Sequence, residues 1–218
     1  MQRPFTAGQK TGQLRQALYM NEPILRVDEI VRAQAQWTEQ WHDGPTPAAT
    51  GLPWNAIEHN HRMNFELWHE EDIARRDDLG PERVRQAKRV IDRCNQLRND
   101  AIEKVDLWLL EQLPPAGADV PLHSETPGMM IDRLSILALK LYHMRIESDR
   151  ASAPVAQRRQ CSARHATLTE QLQDLSGCLE TLLTSLPTGR QRFKLYRQFK
   201  MYNDANLNPQ LYASQPKK

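Results

Sequence analysis

The chain has 218 residues, 26% of them charged and 39% hydrophobic, with a formal net charge of only +2. That length supports a sizeable core, and the composition excludes a disordered chain. No apolar run approaches the roughly 20 residues that cross a bilayer, so an integral membrane protein is not expected, and the near-balance of cations and anions gives no electrostatic case for a nucleic-acid partner.

Taken in chain order, the apolar spacing predicts helices throughout. After an N-terminal arm (residues 1–22), Ile24, Val27, Ile30, Val31 and Trp37 recur at helical intervals and mark a first helix over about 23–41. A Gly- and Pro-punctuated loop follows, then a second helix over about 54–78. Gly80-Pro81 breaks it, and Pro81 suits the start of a third helix reaching Leu113. Another Pro-rich linker leads to a fourth helix over 127–148, capped by Ser124 or Thr126. A fifth spans about 154–186, and a sixth about 190–203 gives way to an extended tail, residues 204–218. Strand alternation is missing and only 9 glycines are available for tight hairpins. The expectation is an all-α, single-domain bundle of four long helices and two supporting ones. Cys94, Cys161 and Cys178 lack a CxxC spacing, which argues against a disulfide framework. The N-terminus lacks an apolar signal core, so a cytoplasmic location is expected.

Polar residues at inward positions mark where chemistry would sit. On the third helix Val84, Ala87, Ile91, Cys94, Ile102, Val105 and Leu109 form the apolar face, yet Arg98 falls in its middle and Asn95 at its edge. Lys88, Asp92, Asn99, Glu103 and Asp106 line one shoulder. Burying such groups unpaired costs several kcal/mol, so they need partners or a role. The second helix repeats the theme: its inward face, set by Ile57, Met63, Leu67, Trp68 and Ala74, also holds Asn60, Asn64 and Glu71, with His61, Asp72 and Arg75 flanking it; Glu71 and Arg75 are also spaced to pair along the helix. The fourth helix is apolar on nearly all sides, the mark of a central helix, but carries Asp132, Arg133, Ser135, Lys140 and His143. Asp132 either pairs with an arginine from a neighbour or lines an inter-helix pocket, and His143 is either a core histidine or an acid–base group.

Two carboxylate patterns suggest a metal. Glu103-x-x-Asp106 with Asp72 and its acidic neighbours is similar to the Mg²⁺-binding signature of all-α nucleotide pyrophosphatases. Glu39-x-x-His42 and Glu66-x-x-His69 have the spacing of di-iron bundles, although helical phase turns Glu66 and His69 away from Asn64 and Leu67. Near the C-terminus, five cations alternate with Phe193, Tyr196, Phe199 and Tyr202, a pattern that docks a terminal helix or binds phosphate. Trp37, Trp41 and Trp54 flank the first loop and serve either the core or a homodimer interface.

Several strings are specific: Asn64-x-x-x-Trp68-His69-x-Glu71-Asp72-x-x-Arg75, Asp92-x-x-Asn95-x-x-Arg98-Asn99-Asp100-x-x-Glu103, Glu125-Thr126-Pro127-Gly128-x-x-Ile131-Asp132-Arg133-Leu134-Ser135, Tyr196-Arg197-Gln198-Phe199-Lys200-Met201-Tyr202-Asn203-Asp204 and Leu207-Asn208-Pro209-x-Leu211-Tyr212. From about residue 54 to Tyr212 the chain resembles a bacterial family known as domain of unknown function 4254. The resemblance implies a helical protein associated with lipopolysaccharide and glycosyltransferase genes, and no assigned catalytic residues.

Two functional expectations follow. In the first, a polar inter-helix pocket binds or acts on a phosphorylated or nucleotide-linked sugar. Arg98, Arg133 and Lys140 hold phosphate; Asn64, Asn95 and Asn99 read hydroxyls; Trp68 and Arg75 also line the ligand site; Glu71, Asp132 and His143 supply acid–base groups; and Asp72, Glu103 and Asp106 hold Mg²⁺. In the second, the polar interior is a network that fixes helix register in a non-catalytic partner of a glycosyltransferase or envelope-biosynthesis complex.

Overall fold

The computed structural model describes residues 24–197 and 206–209. Among them are five α-helices: α1 (Val27–Asp43), α2 (Trp54–Ile73), α3 (Pro81–Gln112), α4 (Pro127–Asp149) and α5 (Val155–Ser185). A 3₁₀ turn, Asp77–Leu79, joins α2 to α3. The helices pack as a bundle with no strands among the described residues.

Chain chemistry sets the starts. Gly80 takes φ +80°, a conformation that costs a glycine little, and Pro81 opens α3 where its missing N–H is no loss. The Thr126 hydroxyl accepts from Met129 N at 3.2 Å and caps α4, with Pro127 next in line.

Helix α4 is the hub. It packs on α1, α2, α3 and α5, while α2 pairs most extensively with α3 and α5 with α4. This explains its apolar circumference, because each side meets another helix. The main core gathers Ile30, Ile57, Leu109, Met130, Ile131, Leu134, Leu179 and Leu182, each at most 2% exposed. Each such side chain contributes about 1.5–3 kcal/mol on burial. A second, smaller cluster of Met63, Leu67, Ile91 and Cys94 holds α2 to α3. Trp41 is buried, and Trp37 and Trp54 pack against the main core. No helix among the described residues is long and apolar enough to cross a membrane.

The expected sixth helix is a correction. Residues 190–197 are not helical; the remainder of that expectation, 198–203, lies outside the described residues, as do the N-terminal arm and most of the tail. The segment instead runs beside the α3–α4 linker. Arg192 N donates to Pro121 O at 3.0 Å, His123 N donates to Arg192 O at 2.8 Å, and the Arg192 guanidinium donates to the carbonyls of Val120 and Ala118. Phe193 is buried in the main core. The linker's carbonyls need donors that a loop cannot supply to itself, and an extended neighbour provides them.

Candidate functional site

Asp132 sits at the centre of a polar network inside the bundle. Its Oδ1 accepts from Asn60 Nδ2 and Asn64 Nδ2, each at 2.9 Å, and its Oδ2 accepts from Arg98 Nη2 at 3.0 Å. Arg98 Nε also lies 2.8 Å from Oδ1, close enough for ion pairing although its N–H is not aligned on that oxygen. The arginine in the apolar face of α3 and the aspartate of central α4 are therefore each other's partners.

The network continues through Ser135 to His61 and fixes that ring's tautomer. The Thr38 hydroxyl donates to the Gln34 carbonyl at 2.8 Å, so its oxygen accepts from His61 Nε2, 2.9 Å away. His61 Nδ1 is left as the acceptor, and the Ser135 hydroxyl donates to it at 2.7 Å while accepting from Asn64 Nδ2 at 2.9 Å. Burial pushes the His61 pKa down to about 3, so the ring is neutral. Gln34 and Thr38, both buried, had no sequence signal beyond helical phase.

Outside this network α2, α3 and α4 leave a cleft of about 370 Å³. Asn64, Trp68, Glu71, Asp72 and Arg75 line it from α2 and the turn after it, Asn95 and Arg98 from α3, and Leu67, Ile136 and Leu139 supply apolar surface. Seven of the residues singled out in the sequence thus meet at one place, with Asp132 behind them through Arg98 and Asn64. Glu71 and Arg75 pair at 3.1 Å on the exposed rim. The Asn95 side chain makes no hydrogen bond among the described residues, so its amide is offered to the cleft.

The other candidates lie elsewhere. Arg133 is exposed and pairs with Glu125 at 2.8 Å, and Lys140 faces solvent. Asn99 and Glu103 are half-buried and do not line the cleft. Asp106, eleven residues and about 16 Å along α3 from Asn95, is buried beneath the start of α4. It accepts from the Thr126 hydroxyl at 2.5 Å and from Gly128 N at 2.7 Å. Burial raises its pKa to about 6, opposed by these two donors and helped by Glu103. A carboxylate at a helix N-terminus complements the helix dipole, which gives Asp106 a capping role. Asp72, Glu103 and Asp106 therefore share no common ligand sphere.

His143 adjoins the cleft by way of Trp68. The two rings are stacked, with centroids 4.5 Å apart and planes 2° apart. His42 from α1 and His69 from α2 complete a group of three imidazoles around it. Burial lowers the His143 pKa to about 4, with His42 and His69 adding to the effect. The glutamates of the two Glu-x-x-His patterns point to other partners: Glu39 pairs with Arg145 and Glu66 accepts from Cys94. The sequence showed these histidines only as separate local patterns.

A family model described as protein of unknown function (DUF4254) matches residues 54–195. This span contains every residue lining the cleft. No curated protein and no solved structure matches the chain.

Proposed function

We propose, for a chain that belongs to the DUF4254 family of proteins of unknown function, that the cleft between α2, α3 and α4 binds the sugar part of a phosphorylated or nucleotide-linked sugar. The observation that carries the reading is convergence: a large aromatic ring, two asparagines, a glutamate and a half-buried arginine face one space from two helices. Sugars are recognised by this combination of a flat apolar surface and fixed donors and acceptors.

Charge decides which half of the ligand the cleft reads. Arg75 and Arg98 are set against Glu71, Asp72 and the Asp132 behind them. With carboxylates in excess, the interior suits neutral hydroxyls, and a phosphate is left to Arg75 on the rim. The setting that this reading adopts is the one that the sequence resemblance implies, cell-envelope polysaccharide metabolism.

The test is calorimetry and thermal unfolding against free sugars, sugar phosphates and nucleotide sugars. A ligand at 100 times its Kd adds about 2.7 kcal/mol, a rise of several degrees for a chain of this size. The rise should vanish in Asn95→Ala while the unliganded midpoint stays unchanged. Silence across the panel would favour the second reading, a helical partner of a glycosyltransferase. The closed network around Asp132 supports that reading, since paired interior charges also fix helix register.

A further inference from the structure

His42, His69 and His143 come from three different helices, and their ligand atoms all lie within 4.8 Å of one another. The rings meet nearly edge to face: 70° between His42 and His69, 69° between His42 and His143, and 76° between His69 and His143. That is how imidazoles sit when their lone pairs point inward from different directions. We propose that these three side chains form a binding site for one divalent transition-metal ion of the zinc class.

The hydrogen bonding prepares the ligands. His42 Nδ1 lies 2.7 Å from the Thr38 carbonyl oxygen, which can only accept, so Nδ1 carries the proton and Nε2 presents its lone pair. A backbone carbonyl behind a histidine is the usual device for orienting a metal ligand. His143 Nε2 is buried and has no partner among the described residues. A buried ring nitrogen with nothing to bond is costly to leave as it is, and in the tautomer that leaves Nε2 its lone pair a metal ion satisfies it.

The surroundings fit as well. Phe65 packs edge-on to His42 and His69, Tyr142 stacks on His42, and Trp68 stacks on His143, so apolar walls hold the rings. Asp72 and Glu70 bring negative charge near His69, and Asp72 also acts on His143. Arg145, whose guanidinium lies over the Tyr142 ring, is engaged by Glu39. Three imidazole nitrogens select a borderline ion over Mg²⁺ or Ca²⁺, which prefer oxygen. With Zn–N near 2.0–2.1 Å, tetrahedral ligands stand about 3.3 Å apart, so the rings need close by no more than about 1.5 Å on loading. Three protein ligands leave one coordination position for water or a ligand oxygen. This site does not rest on the sugar reading, because its test contains no sugar.

The experiment is titration of the tag-free full chain, stripped with chelator, first with Co²⁺ and then with Zn²⁺. The expected result is one equivalent of Co²⁺ per chain with a visible low-symmetry ligand-field band, displaced by Zn²⁺. His143→Gln and His42→Gln should each weaken Kd by at least about 100-fold, and His165→Gln, outside the cluster, should leave it unchanged. His42 is exposed, so its variant keeps the test decisive should His143→Gln fail to fold. No stoichiometric uptake by the folded wild type, or equal uptake by His42→Gln, would overturn the proposal.

Discussion

Trp68 and His143 lie parallel at 4.5 Å, and this contact joins the cleft to the histidine cluster. The indole is a wall of the first and a support of the second. Anything that moves Trp68 should therefore be felt in both.

That shared ring makes Trp68→Ala informative. Its loss should cost sugar affinity about tenfold, since aromatic contacts contribute about 0.5–1.5 kcal/mol beyond area. It should also free the His143 ring and weaken Co²⁺ binding in the same protein. Calorimetry with sugar and with Co²⁺ on one preparation reads both effects. Loss of one with the other intact would show that the two places are not coupled.

The Asp132 network predicts an asymmetric pair of variants. Asp132→Ala leaves Arg98 without its counter-charge, the Asn60 amide without an acceptor and the Asn64 amide with Ser135 alone, and should destabilise by about 3–5 kcal/mol. Adding Arg98→Met should recover part of that, because the uncompensated charge goes. Denaturant melts of the two singles and the double give the coupling. If sugar binding survives in the double variant, the cleft reading fails and the register-fixing role remains.

Two buried groups should shape the pH profile in opposite directions. His61 titrates at about 3 when folded against about 6.5 when unfolded. Its contribution is complete above pH 6.5 and is lost as the pH falls toward 3, by several kcal/mol in all. Asp106 titrates at about 6 when folded against 3.8. The folded state holds its proton more tightly, so its contribution is full below pH 3.8 and is lost, by about 2–3 kcal/mol, as the pH rises through 6. Asp106→Asn should remove that second slope: its amide oxygen still accepts from Gly128 and its NH₂ faces the Thr126 hydroxyl. Urea melts from pH 4 to 8 on wild type and Asp106→Asn test this, and an unchanged difference between pH 4 and 7 would contradict it.

Gly128 is required for closeness. A methyl group there would stand 2.7 Å from the Ile102 carbonyl oxygen and 2.8 Å from Asp106 Oδ1, distances real Cβ atoms do not tolerate. Gly128→Ala should cost about 1–3 kcal/mol as α3 and α4 are forced apart. A thermal midpoint equal to that of wild type would show that the helices shift freely at this point.

How much of this could be read from sequence depended on range. The helices follow from local periodicity, and α4's central place from an apolar circumference that only a surrounded helix can sustain. Arg98 and Asp132 stood out singly because each broke an apolar face. That they pair is a fact of how α3 crosses α4, and nothing in their separate patterns encodes it. The histidines were harder still. Positions 42, 69 and 143 belong to three helices, and the Glu-x-x-His spacings drew attention to neighbours that bind elsewhere. Residues 190–197 show local propensity overruled. Their cations and aromatics suit a helix, yet carbonyls near Pro121 and the core pocket for Phe193 decided otherwise.

The join between Pro121–His123 and Arg192 also bears on the order of assembly. The large helix contacts pair α2 with α3 and α4 with α5, neighbours in the chain that meet after short loop closures. The Leu122–Arg192 bridge links positions 70 residues apart and bonds little until both hairpins stand. It should be the last piece to seat and the first to leave. Phe193→Ala should therefore speed unfolding while leaving refolding nearly unchanged in a chevron plot, and a refolding limb slowed in proportion would place this latch in the nucleus instead.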